Sequence, residues 1–177
     1  MIVIVMGVSG SGKSFLAGRL ADATGWPFAE GDDYHSEANR AKMHAGIPLT
    51  DTDRAPWLDT LHDILLGWHR NGQSGILTCS ALKEAYRARL TDQLPEARFV
   101  WLNPPRDVLA GRMAHRPGHF MPPALLDSQL ATLEPPTGIL LDKVLRLDGS
   151  EPIDQAIKSI LAFLQSESAP AAIPRLS

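Results

Sequence analysis

The sequence predicts an α/β fold: three layers, with a parallel sheet in the middle and helices on both faces. Short, continuous apolar runs alternate with stretches of helical period along most of the chain. The first run, Ile2-Val3-Ile4-Val5-Met6, passes directly into Gly7-Val8-Ser9-Gly10-Ser11-Gly12-Lys13-Ser14 and then into a helical pattern. The runs also lack polar alternation. Strands buried on both sides read this way, as in parallel sheets covered by helices.

Taken in order, Ile2–Met6 is the first strand. Ser14 to about Thr24 follows as a helix, with Phe15, Leu16, Leu20 and Ala23 as its apolar stripe and Gly25 as its stop. Pro27–Glu30 is a short second strand, and Ser36 to about Ala45 is a helix with Ser36 as its N-cap. Pro56 to about Arg70 is a longer helix carrying Trp57, Leu61, Ile64, Leu65 and Trp68. Ile76–Cys79 is the third strand, and Ser80 is placed to cap a helix over Leu82 to about Gln93. Arg98–Leu102 is the fourth strand. Pro105 to about His115 is a helix with proline in its first turn, a tolerated position. Pro122 to about Leu133 is a further helix, Val144–Leu147 the fifth strand, and Pro152 to about Leu164 the closing helix. Residues 1–166 are expected to form a single domain, and the Ala/Pro-rich stretch 167–177 a flexible tail.

A chain of 177 residues is long enough for one domain with a sizeable core. With 44% hydrophobic and 21% charged residues, the composition is that of an ordinary globular protein. The net charge of −3 and a pI near 6.0 give no basic patch of the kind that nucleic acid or an anionic membrane surface would need. Cys79 is the only cysteine, so no intrachain disulfide can form, which fits a reducing compartment. The N-terminal apolar run is too short for a signal peptide or a membrane span, and a cytoplasmic location is expected.

The segment Gly7–Ser14 fits the pattern G-x-x-x-x-G-K-[ST] in the context that gives the pattern meaning, between a strand and a helix. A strand end, a glycine-rich turn and a helix N-terminus aim backbone N–H groups at one point, where the helix dipole favours an anion. Lys13 is placed to reach the β- and γ-phosphates of a nucleotide, and the Ser14 hydroxyl to ligate Mg²⁺. This is the phosphate loop of a nucleotide-binding fold.

Ligands in open parallel sheets bind beyond the carboxyl ends of the strands. The segments to examine are therefore Gly7–Ser14, Gly31–His35, Ser80–Lys83 and Asn103–Arg106. Asp32 and Asp33 follow the second strand. One of them could accept a proton from an attacking hydroxyl, although Asp and Gly are also common turn formers. Asn39, Lys42, His44, Asp51, Asp53 and Arg54 form a polar cluster suited to a substrate-binding segment over about 31–70. Lys42 and Asp51 taken singly read as solvated helix surface, whereas Arg54 can clamp a carboxylate with two hydrogen bonds. Lys83 lies where the third strand meets the next helix, and Cys79 reads as an inert buried thiol. Arg112, Arg116, His119 and Phe120 border the loop Arg116-Pro117-Gly118-His119-Phe120-Met121-Pro122. Cations on such a flap would neutralise the moving phosphoryl group, and a lid over about 112–125 is expected. The alternative is a solvated helix end, where the dipole favours cations anyway.

The stretches GVSGSGKS (7–14), GDDYHSEANRAKMHAGIPLTDTDRAPWL (31–58), CSALKEAYRARL (79–90) and GHFMPPALLDSQLATLEPP (118–136) together resemble the gluconokinase family. These are small phosphate-loop sugar-acid kinases built like nucleoside-monophosphate kinases with a lid. The resemblance spans most of Met1 to Pro136 and departs from the family over Thr137–Lys143. It implies ATP- and Mg²⁺-dependent phosphorylation of D-gluconate at its 6-hydroxyl, a homodimer, and a role in gluconate utilization. It also implies that Gly7, Ser9, Gly10, Ser11, Gly12, Lys13 and Ser14 hold the nucleotide, with Ser14 on the metal. By the same resemblance Asp32 orients the hydroxyl, and His35, Arg54, Lys83, His119 and Gln129 contact the sugar acid. Arg112 and Arg116 are lid arginines on the nucleotide, and Lys13, Asp32 and Arg116 serve the transfer itself.

The physics agrees with an anionic polyol acceptor, since Arg54, Lys83 and His119 supply donors within a net-acidic protein. Three rivals remain open on sequence alone. One is another small-molecule kinase of this fold, such as a shikimate or nucleotide kinase. Another is a nucleotide-gated switch that hydrolyses ATP slowly. The third is a structural or nucleic-acid-binding module, which lacks the basic patch it would need.

Overall fold

The computed structural model describes residues 1–114 and 123–166. Five strands, β1 (Ile2–Met6), β2 (Phe28–Glu30), β3 (Gly75–Cys79), β4 (Arg98–Leu102) and β5 (Val144–Leu147), form one parallel sheet in the order β2-β3-β1-β4-β5. β1 is central and pairs with both β3 and β4, so that Met6 lies beside Cys79 on one side and Trp101 on the other. All three of these strand ends therefore open onto the same edge of the sheet.

The strands sort their side chains by parity. Ile2, Ile4 and Met6 of β1 join Leu77, Cys79, Phe99 and Trp101 on one face. That face packs against α3 (Asp51–Arg70) and α4 (Glu84–Leu90) through Trp57, Leu58, Leu61, Leu65, Tyr86 and Leu90. Val3 and Val5 join Ile76, Val100 and Leu102 on the other face. There they meet Leu16, Ala17 and Leu20 of α1 (Lys13–Thr24) and Ala156, Ile160 and Leu164 of α7 (Ile153–Ser166). Alternation along a strand sends successive residues to opposite faces, so a strand covered on both sides, such as β1, is apolar at successive positions. A third, smaller cluster lies under the glycine loop. It unites Val8, Leu82, Leu109 of α5 (Arg106–Ala114) and Leu126 of α6 (Pro123–Thr132).

All five expected strands form. The helix expected from Pro56 begins instead at Asp51. Thr50 accepts from the Asp53 backbone N–H at 3.1 Å, and the Asp53 carboxylate accepts from the Thr50 N–H at 2.9 Å. This reciprocal capping box fixes the start, and Pro56 sits inside the helix near its N-terminal end. The helix after β3 is shorter than expected, and Ser80 does not cap it. Ala81 takes a left-handed turn (φ 44°), which delays the helix to Glu84 and leaves Lys83 at its N-cap without a side-chain cap bond. The free Glu84 N–H is met by the Glu134 carboxylate at 2.7 Å. Ser36 caps α2 (Glu37–His44) as expected, and Gly25 ends α1 in a left-handed conformation. Two 3₁₀ segments, Gly31–Tyr34 and Gly138–Lys143, were not expected.

Candidate active site

The glycine loop leaves the centre of the sheet and enters α1. Gly7, Gly10 and Gly12 all have positive φ (145°, 78° and 100°), so the turn is built from conformations that L side chains avoid. Gly7 has a second constraint, since a Cβ there would lie 2.4 Å from the Leu102 carbonyl oxygen. The chain passes that close to β4, and no side chain fits. Gly12 makes no side-chain cap bond, and the first turn of α1 holds no acid. The N-terminus of α1 therefore presents backbone N–H groups and the positive end of the dipole with no internal anion to satisfy them. Lys13 Nζ folds back to donate to the Val8 carbonyl at 3.1 Å, and the Ser14 side chain is exposed beside it. Ser11 is buried, and its hydroxyl has no hydrogen-bond partner among the described residues.

Two distant residues are brought onto this loop. Arg112, near the end of α5, donates to the Ser11 carbonyl at 3.1 Å and to the Gly149 carbonyl at 2.9 Å. Gln129 of α6 accepts from the Ser9 N–H at 2.7 Å and donates to the Ser9 hydroxyl at 3.2 Å. Gln129 thus lies against the glycine loop, whereas the resemblance alone assigns it to the acceptor. Arg116 and His119 lie outside the described residues.

The neighbouring wall is made by the 3₁₀ turn Gly31–Tyr34, the start of α3 and the β3–α4 turn. A Cβ at Gly31 would stand 2.1 Å from the Thr78 carbonyl oxygen, so the turn hugs β3. The Gly31 N–H donates to the Thr78 hydroxyl at 3.0 Å, and the Trp57 indole donates to the Gly31 carbonyl at 2.8 Å. His35 is buried and stacks on Trp57 with centroids 4.1 Å apart. Burial lowers its pKa. The Asp32 carboxylate opposes that shift, and Arg54 and Arg40 add to it.

Asp32 and Asp33 are both exposed on the turn, but their settings differ. The charge of Asp32 acts on His35 and on Cys79. The carbonyl of Asp33 is bound by Arg40 at 3.3 Å. Burial pushes the Cys79 thiol up to about 12, which makes it the inert thiol expected. The Gly31 N–H is tied to Thr78 of β3, the Gly7 N–H donates to the Ser80 carbonyl at 3.4 Å, and Arg54 lies by Tyr86, so the Asp32 turn, the glycine loop and the start of α3 all border the end of β3.

Lys83 donates to both carboxylate oxygens of Asp51 at 2.8 Å, and the Tyr86 hydroxyl donates to the same carboxylate. The Lys83 hydrogen bond is the first cause holding the Asp51 pKa below its ordinary value, with Tyr86 second. Arg54 donates to the Leu49 carbonyl, and its guanidinium lies 5.8 Å from the centre of the Tyr86 ring; the Lys83 ammonium lies 5.5 Å from that centre. Asp51 and Tyr86 thus belong to the site, although sequence alone left Asp51 on a solvated surface. The available signal was spacing: Asp51 and Arg54 are i,i+3 on α3, and Lys83 and Tyr86 are i,i+3 at the start of α4.

A central strand running into a glycine loop and an uncapped helix, beside a wall that holds acid and cations, defines a kinase of the phosphate-loop class. Residues 2–136 match a family model described as an AAA domain. Gluconokinase from Gluconobacter oxydans is 46% identical over 166 residues, which span 93% of this chain and 92% of that protein. The crystal structure of a gluconokinase from Sinorhizobium meliloti superposes with a TM-score of 0.81 at 44% identity, covering 92% of this chain and 90% of that one. An unliganded sugar kinase from a Janibacter species superposes with a TM-score of 0.86 at 48% identity, covering 92% and 93%. The chain belongs to the gluconokinase family.

Proposed function

We propose that this protein transfers the γ-phosphoryl group of ATP to the 6-hydroxyl of D-gluconate, giving 6-phospho-D-gluconate and ADP. The observation that carries the reading is the placing of the glycine loop, the Asp32 turn and the start of α3 around the end of β3, in a chain 46% identical to a gluconokinase over 93% of its length. The acceptor is a carboxylate with a row of hydroxyls. Arg54 and Lys83 supply the cations for it, and His35 supplies a ring nitrogen.

In this reading the N–H groups of Gly10–Ser14 cradle the triphosphate, and Lys13 swings from the Val8 carbonyl to the β- and γ-phosphates. Gln129 holds Ser9, and Arg112 holds Ser11, so the loop keeps its shape when the nucleotide enters. Asp32, rather than Asp33, accepts the hydrogen bond of the attacking hydroxyl, because its charge acts on His35 of the same wall. It aims the oxygen at the γ-phosphorus and takes its proton as the bond forms, since a loose transition state requires little early proton removal. Arg116 and His119 are assigned to a lid over 112–125, one on the phosphates and the other on the acceptor.

Mg²⁺ fits the residues present. The exposed Ser14 hydroxyl, in the first turn of α1 beside the glycine loop, is an oxygen ligand of the kind such an ion takes. Ser14 would hold such an ion with few other protein ligands, and the ion would supply charge neutralisation for the transferred group. We further assign the protein a single domain over 1–166 with its acceptor segment over 31–70, a homodimeric state and a cytoplasmic location.

The test is a coupled assay with Mg²⁺-ATP and D-gluconate that reads 6-phosphogluconate through its dehydrogenase, with parallel wells of shikimate, glycerate, AMP and no acceptor. Rapid gluconate-dependent product supports the reading. ATP consumed only with another acceptor, or with none, discards the substrate assignment.

A further inference from the structure

Arg87 has no part in the site as described, yet its burial is unusual. It lies in the middle of α4 with 0% of its surface exposed and heads the fully buried side chains in size. Nη1 donates to the Ala81 carbonyl at 2.9 Å and to the Leu82 carbonyl at 3.2 Å. Nε and Nη2 have no hydrogen-bond partner among the described residues, and no described carboxylate forms an ion pair with the group, although the charges of Glu134 and Glu84 reach it. A guanidinium taken out of water and left partly unpaired lowers stability. An apolar side chain of similar length would fill the space at less cost. What Arg87 supplies, and an apolar residue would not, is its grip on two carbonyls.

Those carbonyls belong to a strained turn. Ala81 has φ 44°, a region that favours glycine. The turn is tied on several sides. The Ser80 carbonyl accepts from the Gly7 N–H at 3.4 Å, and the Leu82 carbonyl also accepts from the Glu134 N–H at 2.8 Å. The Leu82 side chain packs with Val8 under the glycine loop. Lys83 follows immediately, with its ammonium on Asp51.

We propose that Arg87 is a positioning residue for phosphoryl transfer: its buried guanidinium clamps the Ala81 and Leu82 carbonyls and holds the strained turn that presents Lys83 to the acceptor. Without the clamp Ala81 relaxes toward negative φ, the turn opens, and Lys83 leaves its place while the glycine loop keeps its own glycines. This rests on the reading of Lys83 as an acceptor contact.

Arg87→Met keeps an unbranched apolar stem and removes the donors. The expected result is a KM for gluconate raised about tenfold or more, with kcat and the KM for Mg²⁺-ATP within about threefold of wild type. The thermal midpoint should be unchanged or higher, because an unpaired buried charge has been removed. Adding Ala81→Gly, which makes the left-handed turn free of strain, should recover most of the lost gluconate affinity. An unaltered gluconate KM in Arg87→Met, or no recovery in the double variant, overturns the proposal. If Arg87→Met does not fold, Arg87→Lys carries the test. A raised KM rescued by Ala81→Gly supports the clamp, and activity lost only in step with folded protein overturns it. A wild-type protein inactive on gluconate would remove the reading of Lys83 instead. The melting cycle of Arg87→Met with Ala81→Gly then still reads the clamp: non-additive midpoints support it, and additive ones overturn it.

Discussion

The half of the site that faces the nucleotide is built from backbone, and the half that faces the acceptor is built from side chains. The glycine loop uses three positive-φ glycines and a helix start with no side-chain cap, with Arg112 and Gln129 bracing it from outside. The wall proposed for the acceptor uses Asp32, His35, Asp51, Arg54, Lys83 and Tyr86, drawn from three separate segments and tied by ion pairs and ring contacts. Backbone N–H groups suit a phosphate, which is the same for every reaction of this class, and side chains suit an acceptor that differs from one enzyme to the next.

That contrast can be broken from either side. Lys13→Ala is expected to have the largest effect, with transfer falling roughly 10³-fold or more, since the lysine of the glycine loop is lost. Circular dichroism should show an intact fold, and retained turnover would contradict the assignment. Gly7→Ala should come next. Its methyl would meet the Leu102 carbonyl at 2.4 Å in a conformation alanine avoids. A loss of ATP binding together with a thermal midpoint lowered by roughly 5–10 °C is expected, and both are read by melting with and without nucleotide.

Asp32→Asn tests the side-chain half. Its kcat should fall roughly 10²-fold with the KM for ATP little changed, and near-normal turnover would remove Asp32 from the reaction. The smallest effect is expected at Asp53, whose pKa is lowered to about 2, first by Lys42 and then by Thr50. A depressed folded-state value stabilises the fold above the ordinary carboxylate pKa of 3.8, and that support is lost as pH falls toward 2. Melting of Asp53→Asn against wild type should therefore show a gap near neutrality that closes between about pH 4 and 2. A gap constant across that range would rule out the titration of Asp53 as its source.

The same division explains what was legible beforehand. The glycine loop is contiguous, and its letters carry its geometry, so Gly7–Ser14 and the five strands could be read directly. Pro56 looks like a helix opening, whereas the box between Thr50 and Asp53 starts the helix at Asp51, five residues earlier. The β3–α4 turn was read as a cap at Ser80, because nothing in Ala81 announces a left-handed residue. The buried Arg87 and the Glu134 carboxylate, fifty residues beyond Glu84, help make that turn intelligible. Asp51 and Tyr86 went unassigned for a related reason. The contacts of Asp51 with Lys83 and Tyr86 cross more than thirty residues, and i,i+3 spacing on two helices says which face each occupies but not that the faces meet.

The sheet order sets how the protein comes apart. The glycine loop grows from β1, which is bonded on both sides, whereas the turn bearing Asp32 grows from β2, a three-residue strand at the border of the sheet. Local opening begins where hydrogen bonds and packing are fewest, so β2 and its turn are expected to detach before β1 is disturbed. A population under mild denaturing stress then divides into molecules that are whole and molecules that still grip ATP but have nothing to aim at it. Failure in this architecture begins as idleness: the nucleotide stays bound and intact, and the acceptor simply goes unmet.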